Sequence, residues 1–234
     1  MTMERIQPPV KTKRRYNSTR RQRQAEETRR RVVRVARELF LQDGFAATAV
    51  PAVAAAADVS VEMIYKSFGN KAGLVREICQ EALAGSGTVH AEVRSDSMQA
   101  AEADAADIIR GWGRLTIEVA PRVAPLLLLL NEAAANDAEM ANLKTEIDVQ
   151  RLQRMTHNAQ NLALAGHLRE GVSVDHAADV LWTYSSPELY LLLVLSRRWP
   201  LERYGAFVSE AMIAALLNSP AADGANLPHG ENSN

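Results

Sequence analysis

Thirteen basic side chains crowd the first 37 residues: Arg5, Lys11, Lys13, Arg14, Arg15, Arg20, Arg21, Arg23, Arg29, Arg30, Arg31, Arg34 and Arg37. Only Glu4, Glu26 and Glu27 oppose them, so this segment carries +10. The chemistry available to such a run is attraction to a polyanion: each Lys or Arg that neutralises a phosphate releases a condensed counterion. Read alone, the run is as well explained by a solvated tail. Through residue 90 there are 16 basic and 9 acidic residues, a balance of +7, and because the whole chain carries −1 the remainder carries −8. The first part suits nucleic acid; the acidic remainder has no electrostatic reason to lie on it.

Other chemistries find little support. Catalysis needs convergent acid, base or nucleophile groups, and the sequence shows no nucleophile elbow, P-loop or zincin helix. We therefore expect no catalytic residues, no cofactor and no enzyme activity. His157, His167 and His176 lack a tight metal-ligand spacing, and Cys79 is the sole cysteine, which excludes an intramolecular disulfide and a Cys-cluster metal site. The uncharged apolar stretches at 123–130 and 189–195 fall far short of the roughly 20 residues that span a bilayer. Met1–Val10 has no apolar core of a signal peptide. The expected compartment is the cytoplasm, with no membrane partner.

The elements that must position the basic groups are helical. Residues 1–22 lack apolar periodicity and read as a flexible basic arm. Val32, Val33, Ala36, Leu39 and Phe40 then recur at helical spacing up to Gly44, with Arg29, Arg30, Arg34 and Arg37 on the solvent side. Thr48 reads as the N-cap of a short helix to Ala56 that tolerates Pro51 in its first turn. Ala57-Asp58-Val59 forms a tight turn, for which Asp accepts a left-handed backbone. Ser60 caps a third helix to Ser67, and Gly69-Asn70 precedes a longer helix towards Val93. The layout over 44–68 is that of a helix-turn-helix. Beyond residue 95 the expected helices are Ala100–Val119, Val123–Asn136, Ala138–Ala165, Val174–Arg197 and Leu201–Asn218, with breaks at Pro121, Pro125, Gly166, Gly171 and Pro200. The domains expected are an arm (1–22), a helix-turn-helix domain (23–70), a connecting helix (71–93), a helical domain (94–218) and a disordered tail (219–234).

A string of residues carries a family likeness: Ala36-x-x-Leu39-Phe40-x-x-x-Gly44-Phe45-x-x-Thr48, then Val53-Ala54-x-x-Ala57-x-Val59-Ser60-x-x-x-Ile64-Tyr65-x-x-Phe68-x-Asn70-Lys71-x-x-Leu74. It resembles the tetracycline-repressor (TetR) family of bacterial transcription regulators. A looser likeness, Trp182-x-x-x-Ser186-Pro187-Glu188-Leu189-Tyr190 with Arg198-Trp199-Pro200-Leu201-Glu202-Arg203-Tyr204, is to the C-terminal helices of one branch. The resemblance implies an all-α fold, an N-terminal three-helix helix-turn-helix domain followed by a helical ligand-binding and dimerisation domain. It implies that Thr48, Tyr65 and Lys71 touch the DNA backbone. Ser60, Val61, Glu62 and Met63 then read bases or line the major groove, with Lys66 in the same set.

Three positions depart from the family's usual choices: Asp58 where Gly is typical, Glu62 where Gly or a small residue is frequent, and Ser67 where Tyr or His is usual. Glu62 opposes phosphate but can accept from cytosine N4. The arm, through Arg14, Arg15, Arg20, Arg21 and Arg23, is a candidate to compensate along the backbone or in a minor groove. Phe40, Phe45, Ile64, Phe68 and Leu74 read as core alone.

For the second domain the resemblance implies a homodimer through the last two helices, matched to a palindromic double-stranded operator. Apolar residues all round Tyr190–Leu195 fit two buried faces. Trp112, Leu126, Met155, Trp182 and Tyr184 are candidates to line a pocket for a small apolar or aromatic effector, although each is equally read as bundle core. Cys79 reads as a small buried residue. The leading expectation is a repressor released by an effector. A DNA-binding protein that senses nothing is the alternative, and an all-helical enzyme with a basic tail ranks far below both.

Overall fold

Between Lys13 and Asp43 no glycine or proline interrupts the chain, and Arg, Gln, Glu and Ala, all good helix formers, predominate. All 31 residues form one helix, α1 (Lys13–Asp43). The computed structural model describes residues 13–84, 91–101 and 104–218, with side chains from residue 20 onward. The flexible arm expected over 1–22 is thus corrected from residue 13 on. Apolar periodicity marks the face that is buried, not the point where a helix can begin. Residues 1–12, the side chains of Arg14 and Arg15, residues 85–90 of the expected connecting helix and the tail at 219–234 lie outside the described residues.

The chain divides into two compact units, Met1–Glu81 and Ala82–Asn234. In the first, α1 is followed by α2 (Val50–Ala56), α3 (Val61–Phe68) and α4 (Lys71–Ala84), the last of which crosses the boundary. Val32, Ala36, Phe40, Val53, Ile64, Leu74 and Ile78 are buried to 1% exposure or less and make its core. Cys79 belongs to the same core, and burial pushes its thiol up to about 12. At pH 8 its thiolate fraction is therefore roughly 10³ lower than that of a free cysteine. Iodoacetamide is expected to leave Cys79 intact in the native protein and to alkylate it once denaturant is added; mass spectrometry reads the difference.

The second unit contains α5 (Ala91–Ala101), α6 (Ala105–Ala134), α7 (Ala138–Leu164), α8 (Val174–Tyr184), α9 (Pro187–Tyr190) and α10 (Leu201–Leu216). Ile109, Trp112, Leu162, Leu181, Tyr204, Val208 and Leu216 are buried together in its core. Asp104 caps α6, accepting from the amides of Ala106 (2.7 Å) and Asp107 (3.1 Å), so that helix starts at Ala105 rather than at Ala100. It then runs through Pro121 and Pro125, where breaks were expected. Each proline removes one helical hydrogen bond and costs about 3 kcal/mol in an isolated helix. Burial of Val123, Ala124, Leu126, Leu127 and Leu130 along the same stretch offsets that cost.

The helix expected over Val174–Arg197, which Pro187 should bend or break, is interrupted at Ser185, just before that proline. Ser186 caps a new start by accepting from the Leu189 amide at 3.3 Å, with Pro187 in the first turn. The chain then widens into a π-helical stretch, Leu191–Ser196. Two faces follow from this geometry. Tyr190 is buried, with Leu193 and Val194 packed on the core, while Leu191, Leu192 and Leu195 stand 39%, 58% and 47% exposed. Arg94 bridges from α5 to Glu118 of α6 at 2.6 and 3.0 Å, and Arg154 of α7 holds Asp96 of α5 at 2.5 and 3.2 Å.

Candidate nucleic-acid interface and ligand cavity

The link between α2 and α3 is as short as a chain reversal permits. The Asp58 amide bonds to the Ala55 carbonyl (3.2 Å) and that of Val59 to the Ala54 carbonyl (3.0 Å). Asp58 takes φ 51°, the left-handed backbone expected of it. Its side chain is exposed, so the residue acts there through backbone conformation. Asp58→Ala is expected to cost about 1 kcal/mol, since alanine lacks the local bonding that lets Asp visit this region. Asp58→Gly should match or exceed the natural protein. Urea denaturation followed by circular dichroism gives the order, and an alanine variant as stable as the glycine one would exclude strain at this turn.

Ser60 caps α3 as the sequence predicts, its hydroxyl accepting from the Met63 amide at 3.1 Å. Ile64 and Phe68 point into the core, whereas Ser60, Glu62, Tyr65 and Lys66 are exposed and Val61 and Met63 half-buried. At 1.5 Å per residue, the eight-residue helix is about 12 Å long. It presents one polar face that mixes an acid, a phenol and an amine.

Thr48 and Lys71 are placed differently from the surface contacts that the resemblance implies. Thr48 is 3% exposed, and its hydroxyl donates towards the carbonyls of Gly44 (2.8 Å) and Leu39 (3.2 Å). Those carbonyls belong to the last turns of α1 and to the residue just after it. Thr48 therefore closes α1 instead of capping α2, whose N-cap, Ala49, has no side-chain bond. Lys71 is half-buried; its ammonium donates to the Phe45 carbonyl and lies 3.9 Å from the Phe45 ring centroid.

Sequence reasoning missed the side chains that hold the turn. Arg29, expected on the solvent side, donates to the Ser67 carbonyl (2.9 Å) and to Glu77 (2.6 Å), with its guanidinium 4.5 Å from the Phe68 ring centroid. It ties α1 to the end of α3 and to α4. Arg31 reaches the Ala57 carbonyl at 2.9 Å. No periodicity distinguishes these two from Arg30 and Arg34, which are exposed and make only i,i+4 pairs with Glu26 and Glu38 among the bonds described. Arg20, Arg21 and Arg23 are exposed on α1.

In the second unit a cavity of about 270 Å³ opens between α6, α7, α8 and α9. Of the five pocket residues expected, Trp182 alone lines it. Trp112 and Leu126 are buried in the core, Met155 packs against that core, and Tyr184 meets Phe207 edge-on at 6.4 Å. The cavity walls are instead Leu127, Leu130, Ile147 and Pro187 beside the polar Asn131, Lys144, Asp148, Arg151 and Glu188. Acids and bases three and four apart on α7 were the only signal in the sequence, and that spacing ordinarily marks a solvated face.

A helix-turn-helix unit with an exposed third helix is followed in the chain by a helical unit with a cavity. Residues 32–78 match the family model for bacterial regulatory proteins, tetR family. The complex of SmeT with triclosan is similar over 86% of this chain and 99% of that one, at 20% identity and a TM-score of 0.66. NalD, the secondary repressor of the MexAB-OprM multidrug efflux pump in Pseudomonas aeruginosa, matches over 85% and 100%, at 20% identity and 0.64. A putative transcriptional regulator from Saccharomonospora viridis in complex with choline matches over 83% and 100%, at 14% identity and 0.62. These likenesses show the fold, all-α in both units among the described residues. No curated protein sequence matches the chain. No helix among the described residues is long and apolar enough to cross a membrane.

Proposed function

We propose that the protein is a homodimeric repressor that holds a palindromic operator through α3 of each copy and releases it when a small molecule enters the cavity of the second unit. The observation that carries this reading is the outer face of α3, held in place by buried side chains. Ser60, Val61, Glu62 and Met63 at its N-terminal end face base edges, and Tyr65 and Lys66 bind phosphates. Thr48 and Lys71 serve by positioning: Thr48 closes the turn after α1, and Lys71 anchors α4 to the loop between α1 and α2 at Phe45. Arg20, Arg21 and Arg23, with Arg14 and Arg15, extend the contact to flanking phosphates. Such a protein works where the chromosome is, in the cytoplasm.

Twofold symmetry matches two recognition helices to two half-sites. The exposed apolar side chains Leu191, Leu192, Leu195 and Phe207 supply surface through which two copies pair. Two of the structurally similar proteins hold small molecules, triclosan and choline, which supports an effector role for the cavity. Helix α6 carries the cavity residues Leu127, Leu130 and Asn131, and one turn earlier Arg122, which donates to the Ala82 carbonyl of α4 at 3.1 Å. An effector that shifts α6 thereby acts on the helix that leads to the helix-turn-helix.

Fluorescence anisotropy against DNA from the gene's own upstream region, compared with scrambled duplex over a range of salt, tests the reading. We expect selective binding with a steep salt dependence. Lys66→Gln should weaken all duplexes alike and reduce the slope of log K on log salt by about 1. Glu62→Gln should instead change the order of preference among half-site variants. Removing residues 1–22 is expected to lower both affinity and slope; unchanged values would exclude the arginines from the interface. Equal affinity for both duplexes would reduce the interaction to nonspecific attraction.

A further inference from the structure

The charges around the cavity are not equivalent, and their depth decides which one a ligand can use. Arg151 is the best-buried charged side chain in the lining, 19% exposed, against 32% for Asp148 and 39% for Lys144. Its guanidinium donates to Asp148 at 3.4 Å and to the Ser185 carbonyl at 3.2 Å, and lies 5.5 Å from the Trp182 ring centroid. Asp148 is shared, because Lys144 donates to its other oxygen. One carboxylate thus serves two cations. Burial holds the Arg151 guanidinium below its ordinary pKa, which Asp148 and Glu188 only partly oppose. The second acid, Glu188, is exposed and accepts from Asn131 at 2.9 Å. An ionic contact at Glu188 would be screened by water, whereas one at Arg151 would form in a drier setting. The indole N–H of Trp182 is buried without an acceptor. Leu127, Leu130, Ile147 and Pro187 complete the lining with apolar surface.

We propose that the cavity takes an amphipathic monoanion, a small carboxylic acid whose carboxylate pairs with Arg151 and Lys144 and whose apolar body lies on Leu127, Leu130 and Ile147. The proposal rests on the reading of this cavity as the effector site and adds the class of ligand. An Arg guanidinium offers parallel N–H donors that match a carboxylate in two contacts, and Lys144 adds a point charge beside it. A cationic ligand would meet Arg151 and Lys144 at the buried end, and a neutral one would bring no charge to pair with either.

The test uses three isosteres: 4-phenylbutyrate, 4-phenylbutan-1-ol and 4-phenylbutylammonium, titrated into the full-length protein by calorimetry. Expected is at least a tenfold preference for the carboxylate over the other two. Arg151→Gln should abolish that preference while binding of the alcohol stays within about twofold. Lys144→Gln, at a more exposed position, should reduce the preference severalfold and serves where Arg151→Gln does not fold. Leu127→Trp, which fills the cavity, should abolish binding of all three. A preference for the ammonium compound, indifference to charge, or no binding by any of the three overturns the ligand class. Repeating the titration with operator DNA bound separates this from the effector reading. A carboxylate that binds as expected but equally well to free and DNA-bound protein leaves the ligand class standing and removes the effector role.

Discussion

A chain in which Leu192 and Leu195 are both replaced by glutamate is expected to run as a monomer in size-exclusion chromatography with light scattering, with its helical circular dichroism unchanged. Both side chains are about half exposed in the single chain, so the substitution removes little core packing. Leu191, Leu192, Leu195 and Phe207 are exposed apolar side chains that a second copy would cover; four added carboxylates per dimer would put charge that must be desolvated where apolar contacts would form. Operator affinity is expected to fall by two orders of magnitude or more. Each half-site would then be bound independently, and the gain from tethering a second binding module, about 10²- to 10⁴-fold, would be lost. A variant that stays dimeric would move the interface elsewhere, while a monomer with undiminished operator affinity would break the link between pairing and recognition. Retained binding to a single half-site at low salt would show that the helix-turn-helix itself is intact.

How far the site could be read from sequence depends on whether its cause is local. Asp58 in a left-handed turn and Ser60 as a cap are decided within four residues, and both stand in the structure as the sequence predicts. The same holds for α2 and α3, whose limits fall within one residue of those expected. Thr48 was misplaced because its partners, the Leu39 and Gly44 carbonyls, lie behind it on α1 and in the turn after that helix, not on the helix that follows. Local reading also cannot tell Arg29, which bridges to Ser67 and Glu77, from Arg30, which pairs within its own helix. Both are arginines on one basic helix; what separates them is the location of α3 and α4 in the fold. The prolines of α6 show the opposite failure. Their local preference is a real cost, but the buried leucines around them outweigh it, so tertiary packing overrides the break signal. In the second unit, aromatic residues drew attention to a pocket that is in fact built from an i,i+4 charge pattern on α7, and Trp112 and Leu126 went into the core instead.

Gly205→Ala is expected to be a strongly damaging single-methyl change, for a reason that lies wholly in how α6 and α10 approach each other. A Cβ placed on Gly205 would sit 2.5 Å from Cγ1 of Ile117, 2.7 Å from its Cδ1 and 2.8 Å from the Gly113 carbonyl oxygen. A Cβ on Gly113 would meet the Gly205 carbonyl at 2.7 Å and the Ser209 Cβ at 2.9 Å, so each glycine is the space that the other helix needs. Alanine has the higher helix propensity by about 1 kcal/mol, and at an exposed position the change would stabilise. Here overpacking must exceed that gain, because the backbone oxygen of Gly113 can move only if α6 moves with it. The expected loss is about 3 kcal/mol, at the upper end for small-to-large changes in a packed core. That is a large part of a typical domain's stability and corresponds to a fall in Tm of roughly 10 °C for a unit of this size. Adding Ile117→Ala removes two of the three clashes and leaves the carbonyl one. The double variant should therefore be less damaged than the sum of the singles, with a coupling on the order of 1 kcal/mol in a thermal or urea denaturation cycle. Additive losses would mean that Ile117 does not crowd Gly205, and a Gly205→Ala protein as stable as the natural one would mean that α6 and α10 are not in backbone contact.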